Sequence, residues 1–179
     1  MIKGDLDSLR SDVQTYYSSK GVSVKYDGDQ NSTDLMKCIA ELEAEENASG
    51  KKYSLLLFGG LSGRIDQTVH TMSLLHKLRK TRPDSFVLSG ESLAWVLDKG
   101  SHIIEIDHAT MGETCGILPV GVDEAFVKTE GLKWNLVPSE PVVQVTTDQP
   151  ILWCVEVKAN LPSPSVLVAR RSEPLHRPT

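Results

Sequence analysis

Leu55-Leu56-Leu57-Phe58-Gly59-Gly60-Leu61-Ser62-Gly63-Arg64-Ile65-Asp66-Gln67 decides how the rest of the chain reads. An apolar run with the length of a buried strand breaks into three glycines, then delivers an arginine and an acid at the mouth of an amphipathic segment. A strand, a glycine turn and a helix start form the junction where open α/β sheets hold ligands, beyond the carboxyl ends of their strands. Glycine lets the backbone come close, helix N-termini aim N–H groups at anions, and an arginine fork matches phosphate oxygens. No Gly-Lys-Ser/Thr follows Gly60 or Gly63, which excludes a Walker-type loop. The plain alternative is a glycine-rich turn with Arg64 and Asp66 paired on the surface.

Around this stretch lies a chain of 179 residues, 40% of them hydrophobic, enough to bury a real core in one large domain or two small ones. The formal charge of -5, with Lys and Arg scattered, argues against a nonspecific nucleic-acid binder. Cys38, Cys115 and Cys154 are odd in number and far apart, which suits reduced thiols better than a disulfide framework or a zinc site. The N-terminus shows no apolar targeting region, and no segment has the length to cross a bilayer. The expected location is the cytoplasm, with no membrane and no nucleic-acid partner.

Upstream of the glycine loop, 12–20 reads as a short helix and Val22–Tyr26 as a half-buried strand. Ser32 or Thr33 can cap a helix carrying Leu35, Met36, Ile39 and Leu42, which ends at Ser49-Gly50. Downstream, Val69, Met72, Leu75 and Leu78 mark a helix face, Pro83 stops it, and Ser85–Leu88 gives a strand. This alternation predicts a mostly parallel, Rossmann-like α/β nucleotide-binding domain over 1–92. From about Leu93 the texture changes to short β-rich runs separated by Gly, Asp and Pro, which predicts an all-β sandwich domain over 93–160. Residues 161–179, rich in proline, serine and arginine, read as a disordered tail.

Three successive loops end in acids near a helix start. On an extended backbone Asp5 and Asp7 face one way, Ser8 adds a hydroxyl, and clustered oxygens suit Mg²⁺; an exposed acidic turn or a helix cap is the competing account. Asp29, Gln30, Thr33 and Asp34 form the second junction, where ordinary capping competes. Gly60, Gly63, Arg64, Asp66 and Gln67 form the third. His70 and His76 lie six residues apart and do not share a helix face closely, so they read as non-ligands. In Gly131-Leu132-Lys133-Trp134-Asn135 an aromatic plane beside a cation and an amide suits a flat heterocycle, although a lone Trp is commonly core.

Taken in order, these motifs resemble those of eukaryotic thiamine pyrophosphokinases. Gly4-Asp5-Leu6-Asp7-Ser8 is similar to the family's G-D-[FL]-D-S, 29–34 to its D-Q-x-x-T-D, and 59–67 to its G-G-x-x-G-R-x-D-[QH]. Gly116–Gly121 and Gly131–Leu136 resemble its β-domain signatures, and the match runs from about Gly4 to Lys158. The resemblance implies pyrophosphoryl transfer from ATP to thiamine, giving AMP and thiamine diphosphate. It implies Mg²⁺, ATP as co-substrate and a homodimer with active sites in clefts between subunits. Catalytic roles fall to Asp5, Asp7, Asp34, Arg64 and Asp66, with Asp5, Asp7 and Asp34 on the metal. Binding roles fall to Ser8, Gln30, Thr33, Gly60, Gly63, Gln67, Trp134 and Asn135. Such chemistry is positioning and charge stabilisation, so acids and one arginine suffice without a covalent nucleophile.

Two departures bear on activity. The family begins with a strand and a glycine-containing loop ahead of G-D-x-D-S, and here only Met1-Ile2-Lys3 precede it. Where the family carries a strand and a Ser-Thr-Ser-Asn-type motif after Leu136, this chain has only Val137-Pro138-Ser139-Glu140-Pro141. Matching sequence on both sides of that gap reads as a missing exon or an altered gene model. The competing function is therefore a catalytically impaired, truncated isoform that acts as a nucleotide-binding or dimerisation protein.

Overall fold

A computed structural model describes residues 1–133 and 137–158. The chain divides into two compact units, Met1–Tyr53 and a second beginning at Ser54.

In the first unit, β1 (Ile2–Gly4) leads through an acidic turn to α1 (Ser11–Ser19), β2 (Val24–Tyr26) and α2 (Asp34–Ser49). β1 and β2 pair in parallel, Ile2 opposite Val24 and Gly4 opposite Tyr26, so both following loops leave from the same end. The sequence offered almost no strand before Gly4, and the strand is indeed only three residues long. α2 is fixed at both ends by local chemistry. The Thr33 hydroxyl accepts the Met36 N–H at 3.4 Å, and Gly50 takes the left-handed conformation at φ 70°, its N–H donating to the Glu46 carbonyl. α1 buries none of its residues.

The second unit opens with β3 (Leu55–Phe58), α3 (Ile65–Leu78), β4 (Ser85–Ser89) and β5 (Ser92–Leu97). Then follow β6 (Gly100–Glu105), β7 (Met111–Leu118), β8 (Val127–Glu130), β9 (Leu132–Lys133), β10 (Val137–Pro138), β11 (Val142–Thr147) and β12 (Ile151–Val157). A five-stranded sheet runs β3-β4-β5-β12-β7, a three-stranded sheet β6-β11-β8, and β9 and β10 make a small antiparallel pair.

Alternation along the strands separates the two faces of the larger sheet. One face carries Leu93, Trp95, Leu97, Cys115, Ile151, Trp153 and Val155, which join Ile104, Val143 and Val145 of the smaller sheet in one buried cluster. Trp95 lies with its ring centroid 5.6 Å from that of Phe86 and 6.3 Å from that of Trp153, the latter at 52°. The opposite face, with Leu55, Leu57, Val87, Ala94, Val96 and Leu152 buried, belongs to the side on which α3 packs β4 and β5 through Leu74, Leu75 and Leu78. Each large apolar side chain so buried contributes about 1.5–3 kcal/mol.

The architecture is mixed α/β, as expected, but its sheets are mostly antiparallel. Among the described residues only β1 with β2 and β3 with β4 run in parallel, because β4 turns back at Gly90 into β5 as a hairpin instead of crossing over through a helix. That hairpin also carries the sheet without interruption across residues 92 and 93, where the sequence reading placed a domain boundary; the compact units part between Tyr53 and Ser54. Of the helix face read from sequence, Leu75 and Leu78 are buried and Val69 is 59% exposed, while Thr71 and Leu74 complete the buried set. No helix among the described residues is long and apolar enough to cross a membrane. The three cysteines are free, and burial pushes the Cys115 thiol up to about 11, leaving it protonated and unreactive near neutral pH.

Candidate active site

In the first unit the acids gather at the carboxyl ends of β1 and β2. Gly4 sits against the Asp34 side chain so closely that a Cβ there would lie 2.6 Å from Cγ of Asp34, which only glycine permits. The Asp5 N–H donates to Oδ1 of Asp34 at 3.3 Å, and the Asp27 N–H donates to the Gly4 carbonyl at 2.8 Å. These bonds bind the turn after β1 to the start of α2 and to the loop after β2.

The Asp5-Leu6-Asp7 segment is not extended, contrary to the sequence reading. Leu6 has φ 60°, the one positive φ outside glycine among the described residues, and the Asp7 N–H folds back to Oδ1 of Asp5 at 3.2 Å. An L-residue in that conformation carries a cost of about 1–2 kcal/mol. Asp7 and Ser8 are exposed on this turn, while Asp5 is half-buried.

The second loop is a chain of side-chain-to-backbone turns. The Asp29 N–H donates to Oδ1 of Asp27, the Asn31 N–H to Oδ1 of Asp29 at 2.9 Å, and the Ser32 hydroxyl to Oδ2 of Asp29 at 2.6 Å. The Ser32 hydroxyl first, then the Asn31 N–H, holds the Asp29 carboxyl below the usual range. Gln30 reaches only the Gly28 carbonyl, at 3.4 Å, and Thr33 caps α2. The capping account of Thr33 and the metal or phosphate account of Asp34 are compatible, since the cap uses the hydroxyl and leaves the carboxylate.

Lys37 was not singled out from sequence. It is 4% exposed, and its ammonium donates to the Asp27 carbonyl at 2.9 Å and to Oδ1 of Asp34 at 3.3 Å. Its position one helical turn after Asp34 was the available clue, since that spacing places two side chains together.

In the second unit the glycine loop takes the predicted form. Gly59, Gly60 and Gly63 all lie at φ between 81° and 83°, where a side chain would be strained, and the Gly59 N–H is tied to the Leu88 carbonyl on β4. Arg64 stands at the N-cap of α3 without a side-chain cap, and its guanidinium grips Asp66 in two bonds, at 3.1 and 2.5 Å. That pair is the plain alternative raised from the sequence. Arg64 keeps Asp66 well ionised, and Asp66 in turn raises the Arg64 pKa. The pair, Gly60, Gly63 and Gln67 are all exposed to solvent, so the pairing is weak and exchangeable. His76 is held below its usual pKa by burial and then by Arg79. Trp134 and Asn135 lie outside the described residues.

Among the described residues no group of three or more His, Cys, Asp or Glu side chains is arranged to hold a metal ion. Asp5, Asp7 and Asp34 therefore form no ready-made three-carboxylate cage. The donors present still fit Mg²⁺ as it binds beside nucleotides, on one or two carboxylates with water and phosphate oxygens completing the shell. Asp5 and Asp34, tied through the Asp5 backbone N–H, each carry a carboxylate whose oxygen donors suit that ion.

Two family models match successive parts of the chain. The family model described as thiamin pyrophosphokinase, catalytic domain, matches residues 1–87, and that described as thiamin pyrophosphokinase, vitamin B1 binding domain, matches residues 101–140. Thiamine pyrophosphokinase 3 of Oryza sativa subsp. japonica is 34% identical over 88% of this chain and 66% of its own length. Thiamine pyrophosphokinase 2 of Arabidopsis thaliana is 32% identical over 88% and 65%. The chain thus spans just under two thirds of the curated relatives it matches. Among solved structures, yeast thiamin pyrophosphokinase superposes with a TM-score of 0.76 at 24% identity, covering 88% of this chain and 69% of its own. The Candida albicans enzyme gives 0.70 at 22%, covering 88% and 73%. At those identities the two structures speak for the fold.

Proposed function

Since the chain belongs to the thiamine pyrophosphokinase family, we propose that it transfers the pyrophosphoryl group of ATP to the hydroxyethyl oxygen of thiamine. The observation that carries this reading is the set of three glycine-and-acid loops, each at the carboxyl end of a parallel strand, within the stretch matched by the catalytic-domain model. In the reaction the thiamine oxygen bonds to the β-phosphorus while the bond from that phosphorus to the oxygen shared with the α-phosphate breaks. AMP leaves with the electron pair, and the hydroxyl proton passes to a carboxylate or to water.

The functional division is proposed as residues 1–92 for ATP and 93–160 for thiamine, with a Rossmann-like and a sandwich-like character respectively, and with 161–179 as a tail. Mg²⁺, when bound, neutralises phosphate charge as it shifts toward the leaving oxygen. Asp5 and Asp34 are the residues that would hold it, with Asp7 beside them, and Ser8, Gln30 and Thr33 border the phosphates. Arg64 exchanges its exposed partner Asp66 for phosphate oxygens, a favourable swap because a polyphosphate offers more charge to the same fork. Asp66, kept strongly ionised while paired, is a poor base until that exchange releases it. Gly60, Gly63 and Gln67 line the phosphate loop, and Trp134 and Asn135 are assigned to thiamine. A homodimer and a cytoplasmic location complete the proposal.

The test is incubation of the purified chain with ATP, Mg²⁺ and thiamine, with AMP and thiamine diphosphate followed by chromatography. Thiamine-dependent AMP supports the proposal. Folded protein that makes none overturns it.

A further inference from the structure

Lysine is seldom fully buried unless paired, because removing an ammonium from water without compensation is costly. Lys37 lies in the first turn of α2 with its side chain only 3% exposed, and it points into the acid-bearing loops instead of into solvent. α2 does not need it for anchorage: Thr33 caps one end, Gly50 closes the other, and Ile39 and Glu46 are buried along its length. What Lys37 does touch is specific. Its ammonium reaches the Asp27 carbonyl in the loop after β2 and Oδ1 of Asp34, and that same Oδ1 receives the Asp5 N–H from the turn after β1. One buried cation therefore ties the loop after β2 to Asp34 directly, and to the Asp5 turn through the shared Oδ1 of Asp34.

We infer that Lys37 is a positioning residue: by occupying Oδ1 of Asp34 from behind, together with the Asp5 N–H, it fixes the carboxylate and the Gly4–Asp5 turn in the orientation that receives Mg²⁺ and phosphate. The inference rests on the assignment of Asp5 and Asp34 made above. Outer partners that orient ligand carboxylates commonly matter almost as much as the ligands, because an unheld carboxylate must be ordered again at each binding event. Lys37 also attracts the Asp29 and Asp34 carboxylates at its end of the helix.

The experiment compares the full chain with its Lys37→Met variant, which keeps the stem and removes the ammonium. Mn²⁺ serves as the probe, bound in the presence of α,β-methylene-ATP and measured by paramagnetic resonance. Affinity is expected to fall about 10- to 100-fold in Lys37→Met, and kcat with it, while KM for thiamine stays unchanged. A loss of less than about threefold in Mn²⁺ affinity overturns the inference. Combining Lys37→Met with Asp34→Asn is expected to weaken Mn²⁺ no further than Asp34→Asn alone, and fully additive losses overturn the route through Asp34.

If Lys37→Met does not fold, nitrogen-detected resonances of the unsubstituted chain decide: a held Lys37 ammonium exchanges its protons slowly with water, and exchange as fast as that of exposed Lys20 overturns the inference. Mn²⁺ binding without AMP formation would defeat the proposed activity and leave the role of Lys37 standing. Unchanged Mn²⁺ affinity in Lys37→Met alongside normal AMP formation would do the reverse.

Discussion

The two units of this chain are held together by different physics. From Ser54 onward, two sheets bury a continuous apolar cluster with Val143, Val145, Ile151 and Trp153 wholly inaccessible. In Met1–Tyr53, Ile39 is the one buried apolar residue among those described, while Lys37 and Glu46 are buried charges. The larger unit is stabilised by area removed from water, which tolerates changes of pH and salt. The smaller is ordered by hydrogen bonds and ion pairs around its acids, which do not. Asp5 and Asp34, the residues proposed to hold Mg²⁺, lie in the smaller unit and so rest on the more fragile support.

The strongest challenge to this contrast is Trp153→Ala, which should cost about 3–5 kcal/mol in chemical denaturation by opening a cavity between the sheets. Trp153→Phe should cost much less, because the indole Nε1 is buried without a partner in the described residues and its loss leaves nothing unsatisfied. If both behave alike, the cluster is not the source of stability. Arg64→Ala comes next. Turnover should fall on the order of 100-fold, and stability should move by no more than about 0.5 kcal/mol, since the side chain is 76% exposed. Parallel loss of both would place Arg64 in the fold instead of the chemistry.

Glu46→Ala probes the smaller unit. Its buried carboxylate accepts the Tyr53 N–H at 2.8 Å and pairs with Lys52, so removal should cost about 1–3 kcal/mol, read as faster amide exchange confined to the first unit. Acid is a milder perturbation with a defined sign. Lys25 first and then Lys3 lower the Glu41 pKa from 4.5, and the Ser32 hydroxyl lowers that of Asp29 from 3.8. Their stabilisation is present above those ordinary values and disappears as pH falls through the lower folded ones. Lys3, raised above 10.5 chiefly by Glu41, contributes below 10.5 and is lost as pH rises through its folded value. Amide exchange followed across pH should show the first unit opening at both extremes before the second. The smallest effect expected is from Leu6→Gly, which relieves a left-handed backbone and should change stability by about 1 kcal/mol or less, because the looser unfolded chain offsets the relief.

Much of this was legible in the residues. The glycine loop, the Thr33 cap, the Gly50 stop and nearly every strand of the second half follow from local rules, and local rules act over a few positions. Strand direction does not. Whether the strand after β4 crosses over or turns back as a hairpin depends on which later strand completes the sheet, and β12 pairs with β5 from more than fifty residues away. Among the site residues, the acids stood out because their spacing matches a family pattern. Lys37 did not, since a lysine in the first turn of a polar helix looks like any solvated charge until its burial is known. The bend at Leu6 was hidden for the opposite reason: leucine gives no warning of a left-handed turn.

The late arrival of β12 has a consequence for synthesis. Ile151 pairs with Leu97 and Trp153 with Trp95, so the edge of β5 facing away from β4 has no strand partner until the ribosome has made more than fifty further residues. At ordinary elongation rates this is a wait of about 3–10 seconds, long compared with hydrophobic collapse. During it Leu93, Trp95 and Leu97 are available to chaperones, and to the same segment of a neighbouring nascent chain on a crowded polysome.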